Sequence, residues 1–250
     1  MKIGFTSNSF RNIKDVSRIV EIAVGSGTDC IEWSGDIHVK TEEDAQRVRN
    51  LCEKAGISIS SYGSYYRVGS NDMSEWENVC RIASAMKTQV VRVWLGSEDS
   101  EKTDEETYKK LLEEVKQMCD IAKEYSVIVC PECHDHTFNN NTDAFLRMHK
   151  DAEKDNFRTY FQSRYKKYDY DMDRICRTAS VTGCVHVSFF DMNREQFPRL
   201  KPQYMKDILS KLIETGYDKS ILVEFTYPGF KAGFPFCMKK DIGRLKKLIK

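Results

Sequence analysis

The chain lacks any apolar run that approaches the roughly 18 residues needed to cross a membrane. Its first residues, MKIGFTSNSF, carry no hydrophobic stretch of the kind found in a secretory signal. A formal net charge of only +1 gives no broad attraction to nucleic acid or to an acidic membrane surface. The nine cysteines are odd in number and irregularly spaced, which favours reduced thiols. We therefore expect a cytoplasmic protein that binds neither membranes nor nucleic acid.

Motifs for nucleotides and for serine hydrolysis are also missing. The chain contains no GxGxxG, no P-loop and no GxSxG sequence, so dinucleotide cofactors and a serine nucleophile have no support. No stretch rich in proline, glycine or serine divides the chain into parts. The 250 residues are enough for one (β/α)₈ barrel. We expect a single domain over residues 1–250.

The hydrophobic pattern alternates between short apolar runs and longer stretches with helical spacing. Eight runs are predicted to be strands: Lys2–Thr6, Thr28–Trp33, Ile57–Tyr62, Gln89–Leu95, Val127–Cys133, Arg158–Gln162, Cys184–Phe190 and Ile221–Thr226. Eight helices are predicted to follow them: Lys14–Ser26, Thr41–Ala55, Ser74–Lys87, Asp104–Tyr125, Thr142–Lys154, Met172–Ser180, Gln203–Thr215 and Met238–Lys250. Eight βα units with nothing left over favour a closed α/β barrel of the TIM type. An open doubly wound sheet is the alternative, but the first strand is followed by SNSFRN instead of a glycine-rich phosphate turn.

Four polar side chains lie near the ends of the last four predicted strands, one on each. They are Glu132, Gln162, His186 and Glu224. Chemistry in a barrel collects at the carboxyl ends of the strands, so these side chains should meet at one rim. A lone glutamate in such a place is as often paired with an arginine, and a lone histidine is more often a hydrogen-bonded core residue. The shared position of all four predicts a divalent-metal and acid/base site.

A second group of polar and aromatic residues follows strands 2 to 4. It is carried by the sequences IEWSGDIHV, SYGSYYRVG and VVRVWLG. Aromatic rings with sparse polar groups line small-molecule pockets and stack on the apolar faces of sugars, although each ring could equally cap the barrel. We expect a pocket wall built from Trp33, Tyr65, Tyr66, Trp94 and Phe189. The full set of expected substrate-binding residues is Glu32, Trp33, His38, Tyr65, Tyr66, Arg92, Trp94, His134, Arg164 and Phe189.

The sequence CPECH at residues 130–134 matches the pattern of covalent haem attachment. We reject that interpretation because the chain shows no export signal, and because Cys130 and Cys133 would point to opposite faces of a strand. A zinc site would need a second cysteine pair at suitable spacing, which is missing from the sequence. The basic loop SRYKKYDYD, which contains Arg164, could hold an anionic group of a substrate, but such loops are more often only solvated.

The motifs EWSGDIHV, SYGSYY, VRVWLG, PECHDHT, VHV and VEF together resemble the xylose isomerase-like TIM-barrel superfamily, the sugar phosphate isomerase and epimerase group. The resemblance covers nearly the whole chain. It implies a divalent ion (Mn, Mg, Co or Zn) held by Glu132, His186 and Glu224, with Gln162 where the family has aspartate. Because glutamine brings an oxygen but no charge, we expect weak metal binding. His134 is expected to supplement the site or to bind substrate, and Ser188 stands where some relatives have a second histidine.

The resemblance implies that a small sugar or sugar phosphate is isomerised or epimerised by metal-assisted proton transfer through an enediolate. Glu132 and Glu224 are the expected catalytic carboxylates, and which of them is the base stays open. A keto-polyol dehydratase would use the same residues. A sugar-binding barrel with a degraded metal site is a further alternative, supported by Gln162, and a homo-oligomer is compatible with all of these. A DNA-repair endonuclease of related fold is disfavoured by the small number of histidines and by the neutral charge.

Overall fold

A computed structural model describes residues 1–163, 168–190, 200–229 and 232–249. In this part of the chain, eight strands alternate with eight α-helices. The strands are β1 Lys2–Thr6, β2 Cys30–Ser34, β3 Ser58–Val68, β4 Val90–Leu95, β5 Ile128–Pro131, β6 Thr159–Gln162, β7 Thr182–Val187 and β8 Ser220–Val223. The helices are α1 Val16–Ser26, α2 Glu42–Ala55, α3 Met73–Ala85, α4 Glu105–Glu124, α5 Thr142–Ala152, α6 Tyr168–Thr178, α7 Pro202–Glu214 and α8 Pro235–Leu248. All of these helices are too short or too polar to cross a lipid bilayer.

The strands form one parallel sheet in the order β5-β4-β3-β2-β1-β8-β7-β6, which curls into a (β/α)₈ barrel. The first and last strands pair in register, with Ile3 opposite Ile221. The barrel closes between β5 and β6 through two isolated bridges, Val129 with Phe157 and Glu132 with Tyr160. We call this junction the β5–β6 seam. The barrel prediction is confirmed, and the doubly wound alternative is excluded.

The seam is supported by side chains where backbone pairing is sparse. The Pro131 carbonyl accepts a hydrogen bond from Asn139 Nδ2 at 2.8 Å and one from Thr159 Oγ1 at 3.3 Å. Arg174 of α6 donates to both of these side chains, to Asn139 Oδ1 at 2.5 Å and to Thr159 Oγ1 at 3.1 Å. The guanidinium of Arg174 is fully buried. One arginine therefore organises the support beneath the end of β5, directly before Glu132.

Local sequence signals explain why the helices begin and end where they do. Thr41 and Asp44 form a capping box at the start of α2, in which each side chain accepts a hydrogen bond from the other's backbone amide. Gly27 and Gly56 follow α1 and α2 with φ of 71° and 69°, a left-handed conformation that a side chain would disfavour. The apolar face of α4 is buried, and it includes one charged residue. Glu114 lies on that face and accepts hydrogen bonds from Tyr66 Oη at 3.1 Å and from two backbone amides of the β3–α3 connection.

Strand β3 runs six residues past its predicted end and is irregular there. Its pairing with β4 shifts register between Gly63 and Arg67. Within this irregular stretch Tyr65 has a φ of 63°, a left-handed conformation that is uncommon for an aromatic residue. The distortion brings the Tyr65 ring over Arg92, with the guanidinium carbon 5.0 Å from the ring centroid. Unusual backbone of this kind is frequent at functional sites.

Candidate metal and acid/base site

Three side chains from three strand ends meet inside the mouth of the barrel. His186 Nδ1 lies 3.1 Å from Glu132 Oε1 and 3.7 Å from Glu224 Oε1. One ligand atom from each residue falls within 4.8 Å of the others, and all three residues are buried. Two carboxylates and an imidazole at this spacing are a donor set that suits Mn²⁺, Co²⁺ or Zn²⁺. We call Glu132, His186 and Glu224 the metal-site cluster.

Arg92 of β4 supplies the positive charge nearest to this cluster. Its Nη1 donates a short hydrogen bond to Glu132 Oε2, and its Nε lies 3.8 Å from Glu32 Oε1. The guanidinium is almost completely buried, at 4% exposed. A charge at this depth is stable only with compensating partners. Arg92 therefore acts as the internal counter-ion of Glu132, and it sits beneath the ring of Tyr65.

Glu32 of β2 lies behind His186 and has no exposure to solvent. Its Oε2 accepts hydrogen bonds from Tyr160 Oη at 2.5 Å and from Ser61 Oγ at 2.9 Å. Its Oε1 lies 3.2 Å from His186 Nε2. The Tyr160 ring also packs edge-on against the imidazole, with centroids 4.6 Å apart. Glu32 was expected to bind substrate, but the structure places it in the barrel interior, on the far side of His186 from Glu132.

Gln162 reaches the cluster through its amide nitrogen as the side chain is placed. Its Nε2 donates a short hydrogen bond to Glu224 Oε2. The nitrogen and oxygen of an amide exchange positions on a half-turn of the group, so the same side chain can also present its oxygen. In the arrangement described, Gln162 holds Glu224 in place and presents no oxygen to the metal-site cluster. The four residues predicted to share one rim are brought together.

The charges of the cluster are strongly coupled. Burial opposes ionisation of Glu132, yet Arg92 and His186 lower its pKa to about 2. Burial raises the pKa of Glu224, and the negative charge of Glu132 raises it further. For His186, burial favours the neutral ring, but Glu32 and Glu224 raise its pKa to about 10. The two carboxylates of the cluster therefore differ in proton affinity, with the proton favoured on Glu224.

The wider network carries an excess of negative charge. It consists of Glu32, Arg92, Glu132, His186 and Glu224, all of them buried. Three carboxylates face the guanidinium and the imidazole of His186, whose raised pKa of about 10 keeps it protonated at neutral pH, so one negative charge is uncompensated when all three carboxylates are ionised. When the imidazole is neutral, as a metal ligand must be, the excess is two negative charges. An uncompensated charge in a protein interior is costly, and such groups either pair or take up protons. A bound dication would neutralise the network without protonating any of its members.

Above the network, an aromatic stack forms part of the rim. The imidazole of His134 stacks on Trp94 with centroids 4.8 Å apart, and Arg67 lies over the same indole at 4.6 Å. His134 Nδ1 is 2.6 Å from the carbonyl of Asp135, which leaves Nε2 as the ring nitrogen available to a ligand. Tyr65 lies next to Arg11, whose Nη1 is 3.5 Å from the phenolic oxygen. These half-buried groups lie at the strand ends that carry Arg92 and Glu132, and the Tyr65 ring covers Arg92 itself.

Three of the expected pocket residues point away from this mouth. Trp33 is fully buried and packs against His38, whose ring nitrogens are bonded to Ser7 Oγ at 3.0 Å and to the Ile13 carbonyl at 2.9 Å. Tyr66 packs on Trp76 of α3 and binds Glu114. The structure therefore places the side chains of Trp33, His38 and Tyr66 outside the barrel mouth in which they were expected to meet substrate. Successive side chains of a strand face opposite sides, so Trp33 must point outward when Glu32 points inward.

Phe189 lies elsewhere. Phe189 lines a cavity of about 440 Å³ formed with residues of α7 and α8, and Arg244 of α8 lies 5.9 Å from its ring. It therefore belongs to the helix layer instead of the barrel mouth. Arg164 lies outside the described residues, so its expected role stays a prediction.

Several residues of the site had no signal in the sequence that singled them out. Tyr160 and Ser61 sit within apolar or small-residue strands, and only the barrel interior brings their hydroxyls to Glu32. Arg11 and Asp36 form a two-pronged ion pair across the ends of β1 and β2. Its partners are 25 positions apart in the sequence, so that spacing alone could not predict the pair.

The sequence matches the family model described as xylose isomerase-like TIM barrel over residues 20–248. This match covers most of the chain, and the fold and the site geometry agree with it. The chain belongs to the xylose isomerase-like TIM-barrel family. No protein of curated function is similar enough in sequence to match.

Similar solved structures share the fold at low sequence identity. The probable 3-DHS dehydratase AsbF of Bacillus anthracis has a TM-score of 0.82 at 16% identity, covering 98% of this chain and 99% of that one. D-psicose 3-epimerase of Clostridium cellulolyticum H10, solved with D-tagatose, has a TM-score of 0.78 at 15% identity over 100% of both chains. The 3-keto-D-glucoside 4-epimerase YcjR of E. coli has a TM-score of 0.76 at 15% identity, with 99% and 98% covered. These neighbours are sugar epimerases and a dehydratase.

Proposed function

We propose that the chain is an isomerase or epimerase of a small polyhydroxy carbonyl compound, a sugar or sugar phosphate, and that it works with a divalent metal ion. The observation that carries the proposal is the metal-site cluster, with its ligand atoms within 4.8 Å of one another in a buried network of excess negative charge. The epimerases among the structural neighbours support the reaction class. The probable dehydratase among the structural neighbours supports a second candidate reaction, a dehydration.

Glu132, His186 and Glu224 would hold the ion, and Gln162 would join them only through its oxygen. A bound dication polarises substrate oxygens and stabilises negative charge that develops next to a carbonyl group. The donor set is built from carboxylate oxygens and an imidazole nitrogen, which suits Mn²⁺, Co²⁺ and Zn²⁺ better than Mg²⁺. The absence of a charge at Gln162 supports modest affinity.

The carboxylates have different tasks in this proposal. Both oxygens of Glu132 are engaged, one by Arg92 and one by His186. Glu224 has one oxygen on Gln162, while its Oε1 lies 3.7 Å from His186. Burial also raises the pKa of Glu224, which suits a group that takes a proton from carbon and returns it. Glu224 is therefore the proton-transfer residue, and Glu132 stays ionised.

The rim supplies the groups that would hold the sugar. Trp94 and His134 offer a stacked aromatic surface, and His134 Nε2 and Tyr65 Oη offer polar contacts to hydroxyl groups. Aromatic surface with few polar groups is typical of sugar pockets. This arrangement supports an uncharged polyol chain in the mouth of the barrel more directly than it supports a phosphate.

The test uses protein purified without chelator and then loaded with Mn²⁺. It is incubated in D₂O with D-ketohexoses and their phosphates, and deuterium at the carbon next to the carbonyl is followed by NMR and mass spectrometry. We expect solvent deuterium in substrate and product with the parent, and none with Glu224→Gln. Glu98→Gln is the control, since Glu98 is exposed on the β4–α4 connection. Exchange that survives in Glu224→Gln, or its absence in the metal-loaded parent, would contradict the proposal.

A keto-polyol dehydratase is a second candidate, favoured by the TM-score of 0.82 with a dehydratase. The first proton transfer by Glu224 would be the same, but a hydroxide β to the carbonyl would leave as water instead of a proton returning to carbon. In its imidazolium form His134 would also carry a proton on Nε2, and it would pass that proton to the leaving hydroxyl group and become neutral. The same incubations distinguish the two reactions, because dehydration yields a product lighter by one water with a new ultraviolet absorption.

A further inference from the structure

The buried carboxylate of Glu32 has no task in the reaction described above. It is fully buried, and it lies on the opposite side of the imidazole from Glu132. Substrate therefore cannot reach it without passing the metal-site cluster. Its position suggests that it acts on His186 and not on a ligand.

The contacts of Glu32 divide between its two oxygens. Oε2 is fixed by Tyr160 Oη and Ser61 Oγ, so the carboxylate is held by neutral hydroxyl groups on two other strands. Oε1 is left for His186 Nε2 at 3.2 Å, with Arg92 Nε farther away at 3.8 Å. Among the described residues, neither Oε1 nor His186 Nε2 makes a hydrogen bond of ordinary geometry, although the two atoms lie 3.2 Å apart. The two atoms therefore face each other as the remaining donor and acceptor.

The consequence of this contact appears at the other ring nitrogen. With Nε2–H directed to Glu32, Nδ1 is the ring nitrogen that faces Glu132 and Glu224, at 3.1 and 3.7 Å, and a cation bound there would take the place of the Nδ1 proton. Histidines that bind metals commonly donate their second N–H to a carboxylate, which fixes both the tautomer and the ring plane. The edge-on ring of Tyr160 restrains the same imidazole.

We infer that Glu32 is a positioning residue, which holds the His186 ring so that Nδ1 faces the cation site. This inference rests on the metal-binding role proposed above. Glu32 thereby links β2 to the metal-site cluster, whose own residues come from the ends of β5, β7 and β8. Tyr160 and Ser61 serve the same purpose indirectly, because they fix the oxygen of Glu32 that does not face the histidine.

The first measurement needs no metal. In the parent protein labelled with ¹⁵N-histidine, NMR should show a strongly downfield ring proton on Nε2 of His186 that exchanges slowly with water. With only five histidines in the chain, the assignment is tractable. This proton should disappear or exchange rapidly in Glu32→Met, which removes the acceptor. A parent spectrum without a protected Nε2 proton overturns the inference, whether or not the protein binds metal.

The second measurement is Mn²⁺ affinity by calorimetry and electron paramagnetic resonance. Loss of a carboxylate that orients a ligand typically weakens binding by about 10- to 100-fold, and we expect this for Glu32→Met. Glu32→Gln keeps an acceptor oxygen without the charge, so it should retain more affinity than the Met variant. Equal losses in both variants would assign the effect to charge alone and overturn the positioning role, as would unchanged binding in Glu32→Met.

Glu114→Gln is the matched control, because Glu114 is another buried glutamate that accepts several hydrogen bonds far from the cluster. It should lose stability but bind Mn²⁺ like the parent. If the parent binds no Mn²⁺, the proposed function fails at that point. The NMR comparison of parent and Glu32→Met then still decides the contact between Glu32 and His186.

Discussion

Replacing Arg92 by methionine should make the stability of the protein depend on metal. Arg92 is the buried counter-ion of Glu132, with only 4% of its side chain exposed. Removing one partner of a buried ion pair typically costs about 3–5 kcal/mol, because the other charge stays buried and unpaired. For a chain of this size each kcal/mol corresponds to about 2–4 °C, so without metal the melting temperature should fall by about 6–20 °C.

Mn²⁺ should recover part of this loss. Without Arg92 the buried carboxylates have no guanidinium, and a dication becomes the best available counter-charge. The variant should therefore gain more from Mn²⁺ than the parent does. Each tenfold gain in affinity adds about 1.4 kcal/mol at a given saturating Mn²⁺ concentration. The assay is thermal unfolding followed by circular dichroism, in EDTA and across a Mn²⁺ titration.

Arg174→Met provides the matched comparison. Arg174 is also fully buried, but its hydrogen-bond partners among the described residues are the neutral groups of Asn139, Thr159 and Tyr170. Its loss should destabilise the protein to a similar degree. Mn²⁺ should not reduce the difference in melting temperature between Arg174→Met and the parent. If Arg92→Met loses the same number of degrees in melting temperature in EDTA and in saturating Mn²⁺, a bound cation does not replace the charge of Arg92 and the reasoning is refuted.

Three further outcomes are expected. Gln162→Asp should bind Mn²⁺ at least about tenfold more tightly in calorimetry, since a hard dication gains from added charge, and unchanged binding would remove Gln162 from the ligand set. The Mn²⁺ affinity should rise with pH by up to about tenfold per pH unit towards pH 10. The reason is the raised pKa of His186, about 10, because the ring must lose a proton before it can bind the metal. An affinity that does not change with pH in calorimetry would contradict this prediction. Trp94→Ala should raise the KM for the substrate in initial-rate assays, whereas Tyr66→Phe should leave it unchanged, since the Tyr66 hydroxyl binds Glu114. Equal KM values for both variants would exclude the aromatic stack as a sugar surface.

Much of this molecule could be predicted because its signals are local. The alternating apolar runs predicted all eight strands, seven of them within three residues at each end, whereas β3 runs six residues past its predicted end. The convergence of Glu132, Gln162, His186 and Glu224 followed from topology, because parallel strands of a barrel end at the same rim. None of these inferences required knowledge of a long-range contact.

The rest depended on which way each side chain faces. Glu32 and Trp33 are adjacent in sequence, yet one enters the barrel and the other packs under the helices. The regular alternation of side chains along a strand predicts that Glu32 and Trp33 face opposite sides of the sheet, but it does not say which of them points inward. Tyr65 and Tyr66 add an irregular backbone, where the register shift of β3 breaks the alternation itself. Residues such as Tyr160 acquire a role only through a partner 128 positions away.

The metal-site cluster also spans the β5–β6 seam. Glu132 follows β5 on one side of the seam, whereas His186 and Glu224 belong to the other side, at the ends of β7 and β8. The contact between Glu132 and His186 at 3.1 Å therefore crosses the junction where backbone pairing is thinnest. Any group bound jointly by these residues therefore links the two edges of the sheet and stabilises the closed barrel. A metal ion bound at this site should then slow amide hydrogen exchange along β5 and β6.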